Sequence, residues 1–326
     1  MTSLVGHGHE IAAFMDAMAS GRLHHAWLLA GPQGVGKGRF AEAAALRMLA
    51  EAAGPPPTAP GLEVSADHPI ARLIDAGSHP DFRRLHRLPN ERTGDLARNI
   101  PIAQVRSLQG LFATTPSLSP RRVIVIDAID DLERAAANAL LKNLEEPPAD
   151  TVFLLVSHAP GRLLPTIRSR CRVLRFGPLA PEEMARVLRA ELPEADAEEI
   201  AALVRVGEGA PGRALGFVGL DIAGLDQAMA SIAATGDPAA ALRTALAKAL
   251  ALKAAQPRYE AFLQRAPGFI ASAARMRSGQ PLAEALKLWG NARDLASGAV
   301  GLSLDPQSVV FELGTLIAGL AQRRAA

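Results

Sequence analysis

Apolar and polar positions alternate in character along the first half of the chain, with short β-rich runs separated by helical stretches. The runs are Ala26 to Ala30 (AWLLA), Asp81 to Leu88, Arg122 to Ile126 (RVIVI), Val152 to Val156 (VFLLV) and Arg172 to Phe176 (RVLRF). Short strands separated by helices predict a parallel sheet covered by helices. VIVI and VFLLV are apolar on consecutive rather than alternate residues, the signature of strands buried on both faces, and these two are expected at the centre of the sheet. Between Leu132 and Glu146 the segment LERAAANALLKNLEE puts Ala137, Leu140, Leu141 and Leu144 on one helical stripe, and Pro147 with Pro148 stops it.

After Phe176 the β-branched runs vanish and Ala, Leu and Arg dominate, with helix starts such as Pro181-Glu182-Glu183. The expected division is an α/β domain over 1–176, a small helical domain over 177–220 and a helical domain over 221–326. Two later helices are expected to open at Asp237-Pro238 and Asp305-Pro306, with Asp as cap and Pro in the first turn. The last carries Val309, Val310, Leu313, Leu316, Ile317 and Leu320 as one apolar stripe. Gly54 to Gly61 (GPPPTAPG) cannot continue a helix and reads as a mobile loop.

Composition narrows the class of function. The 326 residues are 49% hydrophobic and 21% charged, as in ordinary folded proteins, and 35 Lys and Arg against 33 Asp and Glu leave a formal charge of +2. That charge is too small for tight, independent binding to nucleic acid or an anionic membrane, although the pI is about 9.0. Ten Phe, two Trp and one Tyr are too few for a base-stacking platform. A single cysteine, Cys171, excludes an internal disulfide and a multi-thiolate metal site, and it suits a reducing compartment. The first residues hold no signal-peptide core, and no run approaches the roughly 18 apolar residues of a membrane span, so a cytoplasmic protein is expected.

Three segments carry chemistry. Gly31-Pro-Gln-Gly34-Val-Gly36-Lys37 lies between the strand AWLLA and a helix beginning near Gly38, the context of a phosphate-binding loop. Its glycines let backbone N–H groups face an anion, and Lys37 adds a point charge. Two positions depart from a working NTPase. The residue after the lysine, normally a Ser or Thr that holds Mg²⁺, is Gly38. Asp127 ends the VIVI strand and is placed to reach a metal, but the next residue is Ala128, where a Glu that orients water is expected. A lost base typically costs about 10² to 10⁴ in rate. The third segment, LLPTIRSRC, lies in a stretch from Thr151 to Pro181 without Asp or Glu, in which Arg162, Arg168, Arg170, Arg172 and Arg175 have no acid nearby in sequence. They form either a solvated basic face or a set from which one arginine is presented to a phosphate outside the chain. Cys171 reads as a small buried apolar side chain, because no base can be assigned to it.

GRLHHAWLLAGPQGVGK, RRVIVIDAIDDL, AAANALLKNLEEPPADTVFLLVSHAP and LLPTIRSRC, in this order, resemble the delta-prime family of bacterial DNA polymerase III clamp-loader subunits, from about Leu4 to about Leu215. The resemblance implies an AAA+ P-loop module, a helical lid and a helical collar through which subunits form a heteropentamer. Its partners would be the motor subunits, a delta subunit, the sliding clamp and, through the assembled complex, primed DNA. It implies that Arg170, within Ser169-Arg170-Cys171, reaches the ATP of a neighbouring motor subunit. The nucleotide-binding positions Gly31, Gly34, Gly36, Lys37 and Asp127 would form a degenerate pocket that does not hydrolyse ATP, needs no cofactor and leaves open weak, vestigial binding of ATP or ADP. Related motors carry a nucleotide-sensing arginine where this chain has Gly212, so Arg213 is given no such role. Many relatives hold zinc in a four-cysteine module, yet residues 50–80 contain no cysteine. No zinc is expected, and His68 and His79 read as surface residues. The alternative function is an active motor ATPase, suggested by the intact Gly36-Lys37 pair and Asp127.

Overall fold

The computed structural model describes residues 4–21, 23–90, 94, 96–299 and 302–321, and contacts divide the chain into two compact units, Met1–Leu215 and Gly216–Ala326. In the first, the order is α1 (Gly8–Ala19), β1 (Ala26–Ala30), α2 (Lys37–Ala52), α3 (Pro69–Asp75), β2 (Phe82–His86), α4 (Ile102–Phe112) and β3 (Arg122–Asp127). Then follow α5 (Arg134–Glu145), β4 (Thr151–Ser157), α6 (Pro165–Arg168), β5 (Arg172–Arg175), α7 (Pro181–Glu191), α8 (Ala197–Gly207) and α9 (Pro211–Leu215).

All strand pairs are parallel and the sheet order is β2-β3-β4-β1-β5, the α/β arrangement expected of an AAA+ module. The two continuously apolar strands are interior, and β4 is central. Their alternate residues feed two cores. Trp27, Leu29, Val123, Val125, Leu154 and Val156 pack with Phe14 and Phe40 on the α1 and α2 side. Leu28, Ile124, Ile126, Phe153 and Leu155 pack with Leu108, Leu140 and Leu144 on the α4 and α5 side. On α5 the buried stripe is Ala136, Leu140, Asn143 and Leu144. Leu140 and Leu144 of the expected stripe are fully buried, Ala137 and Leu141 pack partly buried against the same core, Ala136 joins them, and the helix starts two residues later than the sequence pattern suggests.

Two expectations about loops change. The proline-rich segment after α2 is tied down, because Arg47 Nη1 donates to the carbonyls of Ala59 (2.7 Å) and Glu63 (3.2 Å) and His68 Nε2 lies 2.9 Å from the Pro55 carbonyl. His68 and His79 are also buried rather than on the surface. Each Nδ1 accepts a backbone N–H two residues on, from Ile70 at the start of α3 and from Asp81 before β2. Among the described residues no group of three or more His, Cys, Asp or Glu could hold a metal.

The second unit is helical: α10 (Ile222–Thr235), α11 (Ala241–Leu250), α12 (Gln256–Arg275), α13 (Gly279–Ala299) and α14 (Pro306–Ala318). Asp305 caps α14 through Ser308 N, with Pro306 in the first turn, and Val309, Val310, Leu313 and Ile317 form its buried face. Asp237-Pro238 does not open a helix directly. Asp237 has φ +41° and α11 starts at Ala241, but the Asp237 carboxylate still accepts from Leu242 N and Arg243 N, so it caps from one turn away. Arg243 returns a 3.1 Å ion pair to Asp237 and donates to Thr315 Oγ1, linking α11 to α14. Among the described residues no helix is long and apolar enough to cross a membrane.

Asp81 holds the loop that leads into β3. Its buried carboxylate accepts backbone N–H bonds from Ser117 (2.8 Å), Leu118 (2.8 Å) and Ser119 (3.0 Å). Burial raises its pKa, but these three donors and the neighbouring His79 outweigh burial and hold it below the ordinary aspartate value. Asp81→Ala is therefore expected to lose about 2 kcal/mol or more of stability at pH 7 in urea denaturation. Because the folded pKa is depressed, that contribution is complete above pH ~4 and fades as pH falls through the folded value, so wild type and variant should converge in acid.

Candidate functional site

The parallel register brings the candidate residues to one edge of the sheet. Val156 on β4 is flanked by Leu29 of β1 and Asp127 of β3, so the loop that starts at Gly31 and the carboxylate of Asp127 emerge side by side. Gly34 has φ +81°, and a Cβ there would stand 2.7 Å from the backbone nitrogen of Arg213, so only glycine fits this turn. Its carbonyl accepts a 2.8 Å bond from Gly212 N, which fastens the loop to the start of α9. Gly36, at φ +110°, precedes α2 as its N-cap.

Lys37 is buried, and its ammonium donates to the carbonyls of Gly31 (2.7 Å) and Pro32 (2.5 Å). Burial drives its pKa down to about 8, against the opposing pull of Asp130 and Asp127. The charge of the ammonium is thus held within the loop by its own carbonyls.

Asp127 is engaged from within the chain. Arg84 Nη2 on β2 donates to Asp127 Oδ2 at 3.3 Å, and Arg84 Nη1 pairs with Glu42 on α2. A Cβ on Gly38 would lie 2.7 Å from the same Asp127 Oδ2, so the residue after the lysine and this carboxylate do face each other. Gly38 has no hydroxyl, the buried Ala128 has no carboxylate, and the remaining acid is ion-paired; this set does not fit a magnesium ion. Asp130, which no sequence motif singles out, holds the site together. Its carboxylate accepts from Ser157 Oγ (3.0 Å), His158 N (2.7 Å) and Ala159 N (3.1 Å), clamping the end of β4 to the turn after β3. The only sequence sign of this role is the acid-rich IDAIDD following VIV. Next to it, Asp131 pairs with Arg87 at 3.1 Å; burial, and then Asp130 and Asp127, raise its pKa while Arg87 lowers it. Burial, reinforced by Lys37, lowers that of His158.

Arg170 lies elsewhere, after the short helix α6. Its Nη1 donates to the Thr166 carbonyl (2.9 Å) and its Nη2 to Glu145 Oε1 (2.8 Å), and the side chain is 34% exposed. Glu145, at the end of α5, is the acid that local sequence did not reveal. Arg162, Arg168 and Arg175 are exposed and make no ion pair among the described residues, whereas Arg172 stacks 4.7 Å over the Trp27 ring. Cys171 Sγ donates to the Ile167 carbonyl at 3.1 Å, and burial pushes its thiol up to about 12, so it is no thiolate nucleophile at neutral pH. Arg213 turns away from the loop to the Gly207 carbonyl (2.7 Å) and Glu208 (2.8 Å).

Comparison with known proteins identifies the family. The family model described as DNA polymerase III, delta subunit, matches residues 6–180, more than half of the chain. The DNA polymerase III subunit delta' of Pseudomonas aeruginosa is 40% identical over 189 residues, 57% of this chain and 53% of that protein. The subunit delta' of Escherichia coli is 32% identical over 197 residues, 60% of this chain and 55% of that protein. The chain thus spans about half the length of these curated relatives in the matched region. A Thermotoga maritima DNA polymerase III gamma subunit-related protein of known crystal structure covers 95% of this chain and 98% of its own, at 17% identity and a TM-score of 0.40. The extent of the family match, together with the delta' relatives, establishes that the chain belongs to the DNA polymerase III delta-subunit family, as a delta-prime-like member of the clamp-loader subunits.

Proposed function

We propose that this chain is a clamp-loader subunit that does not hydrolyse ATP itself and lends Arg170 to the ATP site of a neighbouring motor subunit, in a heteropentamer that loads a sliding clamp onto primed DNA. The observation that carries this reading is the state of Arg170: a partly exposed guanidinium whose two terminal nitrogens rest on the Thr166 carbonyl and on Glu145, beside exposed arginines that make no ion pair among the described residues. Guanidinium stays protonated at all working pH values and offers a planar fork of donors that matches phosphate oxygens, which suits it to charge developing on a transferring phosphoryl group.

Magnitudes favour transfer of Arg170 from its own carboxylate to a neighbour's triphosphate. An exposed ion pair such as Arg170–Glu145 is worth about 0 to 1 kcal/mol. An arginine acting in trans supplies about 10³ to 10⁵ in rate, or about 4 to 7 kcal/mol of transition-state stabilisation. Glu145 can therefore orient the guanidinium without competing seriously for it. The chain's own pocket, with Gly38, Ala128 and an ion-paired Asp127, supports the complementary half of the reading.

In a reconstituted loader with clamp and primed DNA, Arg170→Ala is expected to lower ATP turnover by about 10³ or more, and Arg170→Lys to restore little of it. An unchanged rate overturns the trans role. Magnesium-dependent hydrolysis by the purified chain, abolished in Lys37→Ala, would instead establish an active motor.

Lys37 gives a pH prediction. Its folded pKa of about 8 lies below the ordinary 10.5, so between these values the unfolded chain binds more protons than the folded one and stability rises with pH. Relative to Lys37→Met, wild type should gain up to about 3 kcal/mol between pH 7 and pH ~10.5 in urea denaturation. A flat difference across that window would show that the ammonium carries no burial cost.

A further inference from the structure

We infer that Arg84 is a resident cation that takes the place of the magnesium ion in this chain's own phosphate-loop pocket. The oxygen it contacts is decisive. Asp127 Oδ2 is the atom that a Cβ at position 38 would approach to 2.7 Å, and it is also the atom that Arg84 Nη2 reaches at 3.3 Å. The guanidinium therefore meets the carboxylate on the side where a hydroxyl at position 38 and Asp127 would share a metal. Its other terminal nitrogen pairs with Glu42, one helical turn beyond Gly38, so a side chain from β2 cross-links α2 and β3.

The surrounding charges favour a cation here. Asp131 feels the charges of both Asp130 and Asp127, and Glu42 adds a further carboxylate on the α2 side. Opposite them stand Lys37, held by loop carbonyls, and Arg87, held by Asp131. Arg84 is the cation that contacts both Asp127 and Glu42. A guanidinium has five N–H donors, no lone pair to offer a metal and no accessible neutral form, so it satisfies these oxygens and cannot itself become a ligand. Magnesium needs oxygen ligands in near-octahedral array, and here one is missing at Gly38 while the other is occupied.

This deepens the reading of a pocket that does not hydrolyse ATP by naming the group that keeps metal out. It implies that restoring a hydroxyl at position 38 and a carboxylate at position 128 would not arm the pocket while Arg84 remains. The inference concerns the isolated chain's response to metal alone, so its failure would leave the trans role of Arg170 standing.

The test is thermal denaturation of the full chain in MgCl₂ against NaCl of matched ionic strength, with Mn²⁺ binding followed by electron paramagnetic resonance. Wild type should show no magnesium-specific rise in Tm and no tight Mn²⁺ site. Arg84→Ala, which uncovers Glu42 and Asp127, should gain at least about 2 °C from magnesium and bind Mn²⁺, and Arg84→Ala combined with Asp127→Asn should lose both effects. Arg84→Gln, which keeps a hydrogen-bonding side chain on β2, provides the same comparison if the alanine variant folds poorly. A wild-type metal response abolished by Asp127→Asn would overturn the inference, as would indifference to both metals in the two Arg84 variants.

Discussion

The structure depends on the parallel register of β1, β4 and β3. With Leu29 and Asp127 on either side of Val156, the end of one strand launches the glycine loop while the end of another delivers a carboxylate to the first turn of α2. Burial of these strands on both faces sets that register, because Val123, Val125, Leu154 and Val156 feed one core and Ile124, Ile126, Phe153 and Leu155 the other. A slip by one residue would exchange the two sets, so the apolar pattern itself places the polar strand ends.

From that frame the cations divide into two populations. Lys37 is buried and satisfied by backbone carbonyls, and Arg84, itself partly exposed, is held by Glu42 and Asp127 beside the same loop. Arg170, at the far end of the segment that follows β4, is braced but partly exposed. A bound phosphate would face the lysine and a metal would face the carboxylate; among the described residues, loop carbonyls meet Lys37 and Arg84 meets Asp127. On α6 and β5, Arg168 and Arg175 are exposed and make no ion pair among the described residues, while Arg170 is held by Glu145.

Much of this was legible in the sequence because it is local. Consecutive apolar residues identified the interior strands, and a glycine loop between strand and helix identified the lysine. Asp305-Pro306 marked a helix start, and α14 opens there with the carboxylate accepting from Ser308 N and the proline in the first turn. What escaped was non-local pairing. Arg84 and Asp127 are 43 residues apart, and nothing in the RRLH run says which arginine will face a carboxylate. Glu145 was hidden for the same reason, as a helix-end acid that meets Arg170 only after β4 and α6 intervene. His68 and His79 looked like surface residues because a histidine's capping of a nearby N–H depends on how its loop is buried. Asp237-Pro238 misled by one turn, since its carboxylate caps α11 while its own backbone stays outside the helix.

The most direct test of the central claim is the structure of the assembled loader with a non-hydrolysable ATP analogue and primed DNA. The account predicts the Arg170 guanidinium within hydrogen-bond distance, about 3 Å, of a γ-phosphate oxygen held by the adjacent motor subunit. Arg170 still closed on Glu145 in the complete ring, with no nucleotide of a neighbour within reach, would contradict it.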